Sequence, residues 1–487
     1  MEMKTATTQP TSVPKSAWIG LFAVLAATIM NILDSTIVNV AAPAIRADLG
    51  ATYSELQWIA AGYTLALAVG LLTGGRLGDM FGRKRILMIG LVGFVAASLS
   101  CSAAWAPEAL VASRVVQGLF GAIMIPQCFG LLRDLFGPHV GKAFAAFGPI
   151  IGLSTILGPV VAGLLTDGAG WRAVFAINLP IGLFALIAGA KSLPLIDGRR
   201  EGGLDVLGAL IAGAGMFLLV FPLVQGRELG WPMWTVALAI SAIVAFGIFT
   251  RYQISRKAKG KTPLVQLSVF AKRSYTSGVV FVVVFFGAIV GFSLAVGLFL
   301  QLGLGQSPIR ASLTMAAWAV GAFLGSGFGA TMMAKLGRHI LHIGLSMMAA
   351  GLALLYPVFG DFSTLKMALP MALYGIGMGM IFVPLFDIIM GEIKDREVGS
   401  ASSMLESIQQ MGASLGVAVL GTVFFTTVGQ HGFVAASKQV TLIALVLTVV
   451  ALALAFLLPR QARAHAAPAR SLESPETSVA TRVPVLV

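Results

Sequence analysis

The chain has 487 residues, of which 57% are apolar and 11% are charged. Soluble domains are about 45–50% apolar and about 25% charged, so this composition excludes a water-soluble fold. Two cysteines are too few for a disulfide scaffold. A formal net charge of +13 would indicate nucleic acid in a soluble protein, but the basic residues lie mainly between apolar runs. We therefore expect an integral membrane protein that contacts the lipid bilayer and binds no nucleic acid.

Fourteen apolar runs follow one another along the chain, each close to the length of about 20 residues that crosses a bilayer. Helices are expected, because a segment in lipid must satisfy its own backbone hydrogen bonds. Six runs precede residue 190 and six follow residue 274, so the pair between them is interpreted as an insertion. The predicted parts are an N-terminal tail (1–16), a first six-helix half (17–190), two inserted helices (205–250), a basic linker (251–273), a second six-helix half (274–458) and a disordered C-terminal tail (459–487).

The basic residues predict the orientation of the spans. If the N-terminus is cytoplasmic, 26 Lys and Arg fall on the inner side and 6 in the outer loops. Because basic residues accumulate in cytoplasmic loops, we expect both termini in the cytoplasm. The protein is then a multi-pass protein of the inner cell membrane. The basic linker is expected to lie against anionic lipid headgroups.

The segment Gly75–Arg85 between the second and third runs reads GRLGDMFGRKR. Its glycines allow a tight turn, and Asp79 can cap a helix or pair with an arginine. The string resembles the loop signature of the major facilitator superfamily. That resemblance implies a gating loop that includes Gly75, Asp79, Gly82 and Arg83, whose charge contacts close the inner side in one state. A loop that only sets the orientation is the alternative.

Three further strings resemble the fourteen-span drug–proton antiporter branch of that superfamily. They are LDSTIVNVAAP (Leu33–Pro43), WRAVFAINLPIG (Trp171–Gly182) and DVLG (Asp205–Gly208). The resemblance covers nearly the whole chain outside the tails.

The fifth run resembles the motif that marks exporters of this branch. The matching positions are Gly152, Gly158, Pro159 and Gly163, while Ala162 stands where a glycine is usual. Small residues let a neighbouring helix approach closely, and a proline bends its helix. A packing interface without directional meaning is the alternative.

Charged residues inside the spans are the candidates for chemistry, because one at the bilayer centre costs about 2.5–3.5 kcal/mol. Asp34 lies in the first run, and Asn31 precedes it by almost one helical turn. Arg114 and Gln117 share one face of the fourth run. We predict that Asp34 and Arg114 pair, and the resemblance to the antiporter branch implies that this pair couples transport to protons. Asn31 and Gln117 are predicted to meet substrate or proton beside it. A purely structural ion pair is the alternative.

Glu406, in the thirteenth run, shares its helix face with Gln409 and Gln410. These three residues are predicted to meet substrate or proton in the second half. Asp387 lies near the inner end of the twelfth run, where its side chain can reach water, so its role stays open. The histidines show no metal-ligand spacing, so no metal site is expected.

Together these features predict an all-α major facilitator fold with fourteen transmembrane helices in a six-two-six arrangement. The resemblance implies an exporter of small amphipathic drugs, cationic ones among them, that works by alternating access. The proton gradient drives it, and it has no cofactor and no enzymatic activity. We expect a monomer, although the sequence does not fix the oligomeric state. Export of one metabolite or self-made antibiotic is the alternative within transport. A non-transporting membrane sensor or a lipid-handling protein is the alternative outside it.

Overall fold

The structure is a computed structural model that describes residues 14–137, 143, 154, 158–198, 203–393 and 398–459. Every extended regular element in these ranges is a helix. The helices are α1 (Lys15–Leu49), α2 (Tyr53–Phe81), α3 (Arg83–Ser102), α4 (Pro107–Phe136), α5 (158–169), α6 (Trp171–Ala176), α7 (Asn178–Ser192), α8 (Val206–Gln225), α9 (Met233–Ala258), α10 (Arg273–Leu298), α11 (Pro308–Leu336), α12 (His339–Val358), α13 (Thr364–Ile389) and α14 (Val398–Ala455). A π-helical turn, Phe299–Gly303, continues α10.

Twelve candidate membrane spans are present in the described part of the chain. The last of them, Ala401–Ala455, contains both the thirteenth and the fourteenth apolar runs. Its backbone leaves helical geometry at Gly432 (φ 81°, ψ 176°), in the left-handed region that favours glycine. The fifth apolar run falls partly on residues outside the described ranges. The all-helical prediction is confirmed for the described residues, and the count of fourteen spans stays a prediction.

Local sequence explains where α2 begins and ends. Thr52 caps its first turn by accepting from the Glu55 backbone N–H at 3.2 Å, and the Glu55 carboxylate accepts from the Thr52 N–H at 2.7 Å. The helix ends at Gly82, whose φ of 92° favours glycine. A Cβ at Gly82 would also lie 2.7 Å from the carbonyl oxygen of Ile196. The turn between α2 and α3 therefore requires a glycine for two reasons.

Backbone-to-backbone contact holds α11 and α13 together in the second half. A Cβ at Gly321 would lie 2.3 Å from the Ala372 carbonyl oxygen, and one at Gly325 would lie 2.1 Å from that of Ile376. Gly329 lies one turn further along the same face. This four-residue repeat is typical of closely packed membrane helices, so it is a packing surface.

The two halves meet along α2 and α14. Ser407 donates a hydrogen bond to the carbonyl oxygen of Ala68 at 2.5 Å. Ser414 donates to that of Ala61 at 3.1 Å. Gln57 donates in the opposite direction, to the α14 backbone at 3.2 Å. We call this contact the α2–α14 seam; it runs along much of α2.

The inserted helices form a hairpin on the side of this bundle. α8 packs against α2 and α14, and α9 packs mainly against α8. Asp205, 4% exposed, ties the hairpin together. Its carboxylate accepts from the Gly208 N–H at 3.0 Å, which caps α8, and from Tyr252 at 2.9 Å and Gln253 at 2.7 Å on α9. Arg256 lies 3.5 Å from the same carboxylate.

We predict that Asp205→Ala loosens the inserted hairpin. Breaking a buried, hydrogen-bonded charge pair costs about 3–5 kcal/mol, because Gln253 loses its acceptor and Arg256 loses its counter-charge. The melting temperature of the purified protein in mild detergent measures this loss. The matched control is Asp361→Ala, because Asp361 is 82% exposed and its ion pair among the described residues is with Lys366; its loss should change little. Equal melting temperatures for the two variants would contradict the role of Asp205.

Candidate functional site

Asp34 on α1 and Arg114 on α4 face each other in the interior of the first half. Their side chains are 0% and 1% exposed. Nη1 of Arg114 donates to the Asp34 carboxylate and, at 2.8 Å, to the Gln117 side-chain oxygen. Nη2 of Arg114 also donates to the Asp34 backbone carbonyl at 3.3 Å. The two charges compensate each other where neither could be left alone.

Further donors surround the Asp34 carboxylate. Gln117 donates to it at 2.9 Å and Asn178, the first residue of α7, at 3.1 Å. The Asn178 amide also donates to Ser98 on α3 at 2.8 Å, and Ser98 donates to the Phe175 carbonyl oxygen at 2.9 Å. Hydrogen bonds to an ionised group are stronger than neutral ones. The carboxylate is therefore held by groups from α4 and α7 as well as by the arginine.

Arg114 has a second set of contacts on α2. Its Nε donates to the Ile59 carbonyl oxygen at 3.2 Å, and its guanidinium lies 4.0 Å from the centre of the Tyr63 ring. Tyr63 in turn accepts a hydrogen bond from Asn31 at 2.8 Å. Asn31 thus belongs to the same buried network, which joins α1, α2, α3, α4 and α7.

Sequence reasoning selected Asp34, Arg114, Gln117 and Asn31 for this site, but it gave no role to Asn178, Ser98 or Tyr63. The structure brings all seven together. Asn178 lies within the WRAVFAINLPIG string, and an amide within an apolar run is the signal that could select it. Ser98 and Tyr63 are ordinary residues of membrane helices and carry no such signal.

The same motif fixes the far end of α1. Trp171 donates from its indole nitrogen to Asp48 at 3.1 Å, and Arg172 donates to the same carboxylate at 2.5 Å. These hydrogen bonds, chiefly that of Arg172, hold the pKa of Asp48 below its usual value. The string from Trp171 to Asn178 therefore positions α1 at two points, Asp48 at its end and Asp34 at its middle.

The predicted gating loop forms a chain of charges within the first half. Asp79 lies 3.3 Å from Arg83, and Arg83 lies 3.1 Å from Asp134 at the end of α4. The loop also touches the second half, because a Cβ at Gly75 would lie 3.6 Å from Oγ of Ser403 on α14. The described charge pairs connect α2, α3 and α4, so the latch that joins the two halves stays a prediction.

The exporter-like motif contacts both halves. A Cβ at Gly158 would lie 2.7 Å from Thr36 on α1, and one at Gly163 would lie 2.9 Å from the backbone of Ile309 on α11. Ser312 of α11 donates to the Pro159 carbonyl oxygen at 2.7 Å. Gly152 lies outside the described residues. The motif therefore serves as a close contact between α5 and the first turns of α11.

Glu406 lies apart from the Asp34 network. It is half-buried on α14, as are Gln409 and Gln410, and it lies within electrostatic range of Cys128 on α4. Its helix turn is the one from which Ser407 reaches α2. Among the described residues, Glu406 is therefore an acid that lies next to the α2–α14 seam. Asp387 is half-buried near the end of α13.

Comparison with known proteins gives a family and several relatives. The model of the Major Facilitator Superfamily matches residues 24–417. A relative described as a probable actinorhodin transporter of Streptomyces coelicolor is 44% identical over 85% of this chain and 73% of its own length. The tetracenomycin C resistance and export protein of Streptomyces glaucescens is 35% identical over 85% of this chain and 77% of its own. Multidrug resistance protein 3 of Bacillus subtilis is 29% identical over 81% and 77%.

Solved structures resemble the fold. An auto-inhibited peptide transporter of the POT family superposes with a TM-score of 0.67 over 91% of this chain and 96% of the other. The two sequences are 14% identical, so the likeness concerns the fold alone.

We predict that Asn178 and Asp34 are energetically coupled. Residues that share a hydrogen bond usually show interaction energies of about 0.5–3 kcal/mol in a double-mutant cycle. Unfolding of the variants Asn178→Ala, Asp34→Asn and their combination in mild detergent measures this energy. A cycle between Asn178→Ala and Asp361→Ala is the control and should be additive, because Asp361 lies exposed beyond α12. Additivity in the Asn178–Asp34 cycle would remove Asn178 from the site.

Proposed function

This chain belongs to the major facilitator superfamily, and from that premise we propose that it is a proton-coupled exporter of amphipathic drugs. Relatives named as a probable antibiotic transporter, an antibiotic resistance and export protein and a multidrug resistance protein support drug export. We further propose that the basic end of the bundle, with both termini, faces the cytoplasm, since 26 Lys and Arg fall on that side against 6 in the outer loops.

One observation carries the coupling proposal, namely the buried pair of Asp34 and Arg114. A charge inside a membrane helix is expensive and marks an ion or proton path by default. When Asp34 takes up a proton, it no longer compensates the arginine. Arg114 then keeps the Gln117 oxygen, the Ile59 carbonyl and the Tyr63 ring as partners. Protonation therefore weakens the link between α1 and α4, which the hydrogen bond from Arg114 to the Asp34 backbone carbonyl still joins, while the guanidinium keeps neutral partners.

A weaker link between α1 and α4 would matter for the rest of the molecule, because α1 contacts the second half. Its outer part, which includes Val38 and Ile45, packs in one apolar cluster with Leu294 and Leu298 of α10. Gly163 of α5 lies against α11 in the same way. In alternating access one half rocks against the other around a central site. We infer that the charge state of Asp34 biases this motion through α1.

Glu406, Gln409 and Gln410 are proposed to meet the substrate. They lie half-buried at the junction of the halves, where alternating access exposes a central cavity to each side in turn. An acid there would attract cations, while apolar contacts would serve the body of an amphipathic molecule. Because Glu406 is one acid, monocations should be handled better than dications.

A second candidate is export of one antibiotic rather than many. It is favoured by the relatives named for actinorhodin and for tetracenomycin C. A panel of drugs tested against cells that lack their own exporters separates the two. Protection against several unrelated amphiphiles supports broad export, and protection against one compound class supports the dedicated alternative.

We predict that Asp34→Asn abolishes proton-driven export and spares uncoupled movement. The amide keeps the shape and several hydrogen bonds but has no titratable proton. In vesicles with an imposed pH gradient, uphill transport should fall to background, while downhill exchange of substrate persists. Asp361→Asn, which removes a surface carboxylate, is the control and should behave as the wild type. Normal uphill transport by Asp34→Asn would exclude this residue as the coupling acid.

We predict that Glu406→Gln impairs export of cationic compounds and spares neutral ones. A cation that enters a poorly solvating cavity needs a compensating carboxylate, whereas a neutral amphiphile does not. Matched neutral, singly charged and doubly charged dyes provide the measurement. Glu108→Gln is the control, because Glu108 is an exposed acid at the start of α4. Equal loss of all three dyes would assign Glu406 to the proton path instead.

A further inference from the structure

An apolar groove runs between α2 and α8 on the outside of the bundle. Its cavity measures about 430 Å³. Phe217 and Leu210 of α8 are 45% and 65% exposed, so the groove opens toward the membrane rather than toward the centre of the protein. The residues that define its walls are Val69, Thr73 and Leu77 on α2 and Val206, Gly213 and Phe217 on α8.

The length of the groove corresponds to one leaflet of a bilayer. Between Val69 and Leu77 it follows α2 for about 12 Å, and between Val206 and Phe217 it follows α8 for about 16 Å, at 1.5 Å per residue. The hydrocarbon of one leaflet is about 15 Å thick, half of the core. At the deep end the Phe217 ring stacks on Trp58, with 5.9 Å between their centres. The groove therefore begins near the basic end of the bundle and ends near mid-membrane.

A second cavity, of about 390 Å³, lies at the mouth of the groove. Gly203 lines this cavity and the next residue, Leu204, lines the groove, so the two are adjacent. Arg256 and Lys261 are the basic residues of its lining. Arg256 is compensated by the Asp205 carboxylate 3.5 Å away, so the exposed Lys261 supplies the positive charge of this cavity. Asp205, the acid of this stretch of the described chain, accepts hydrogen bonds from Tyr252 and Gln253 and points away from Lys261's cavity, which it does not line. The mouth is consequently basic and the groove behind it apolar.

We propose that this composite site binds an anionic phospholipid. One acyl chain lies in the groove between α2 and α8, and the phosphate lies at the mouth beside Lys261. The argument for a lipid is the joint match of leaflet length, apolar walls and positive charge at one end. It uses the orientation proposed above, in which this end faces the anionic cytoplasmic leaflet. It does not depend on drug export.

Photo-crosslinking tests the proposal. Purified protein in detergent is mixed with phosphatidylglycerol that carries a photoactivatable group on one acyl chain, and the labelled peptides are mapped by mass spectrometry. We expect label on α2 and α8 along the groove, and several-fold less with the matching phosphatidylcholine. Because no transport is measured, a failed label leaves the proposed export intact, and a failed transport assay leaves the lipid site intact.

Two variants with matched controls locate the lipid. Ala209→Phe fills the groove and should abolish labelling, whereas Ile243→Phe on the exposed face of α9 should not. Lys261→Gln should weaken binding about five-fold, the effect of one basic residue near a lipid surface. Lys257→Gln removes the same charge from an exposed position that does not line the cavity, and it should have little effect. Lys261 is exposed, so its substitution tests the site even if Ala209→Phe does not fold.

Three results would overturn the proposal. Equal labelling by phosphatidylglycerol and phosphatidylcholine would indicate ordinary lipid contact without a site. Unchanged labelling in both Ala209→Phe and Lys261→Gln would place the lipid elsewhere. Complete displacement of the phospholipid by a transported drug would make the groove a drug entrance.

Discussion

A carboxylate and a guanidinium that face each other inside a membrane bundle depend on each other, because either one alone would be a charge in a medium that solvates it poorly. In this protein the pair is Asp34 and Arg114, and the first half is arranged around it. The amide of Asn178, the hydroxyl of Ser98 and the ring of Tyr63 have their positions because the pair needs donors, acceptors and a polarisable surface. Five helices thus meet at one ion pair, and a change of its charge alters the hydrogen bonds that join these helices.

The connection from this network to the second half passes through two helices. α1 carries Asp34 and, further along, touches α10. α2 carries Tyr63 on the side of Arg114, while its backbone accepts hydrogen bonds from α14 in the seam. The inserted hairpin packs against another side of α2 through α8. α2 is therefore the element through which the ion pair, the seam and the surrounding lipid can influence one another.

Much of this arrangement could be predicted from the sequence, because lipid reduces the choices of a chain. Apolar runs in lipid become helices, and a charged residue inside them needs a partner, so the sequence alone predicts the pairing of Asp34 with Arg114. The four-residue spacing of Gly321, Gly325 and Gly329 is likewise a pattern typical of closely packed membrane helices.

Other features could not be predicted, because they depend on how helices are placed relative to one another. Asn178 reaches Asp34 only because α7 begins beside α1. Asp205 was read as part of a family string, and its role as the tie between α8 and α9 needs both ends of the hairpin in place. The reach of Ser407 to α2 likewise depends on the approach of α14, since a serine in a helix usually bonds within its own helix.

That last property has a consequence for how the halves can separate. A serine hydroxyl that leaves the α2 backbone has another acceptor available, the carbonyl one turn earlier on α14. Ser407 and Ser414 can therefore exchange their acceptor on α2 for one on their own helix, α14. Both hydroxyls then keep a hydrogen bond when the two halves separate. If the seam consisted of charged pairs, separation of the halves would leave two ions without partners, which is costly in a poorly solvating medium. Adhesion that is reversible at little cost suits a contact that must open and close in every cycle.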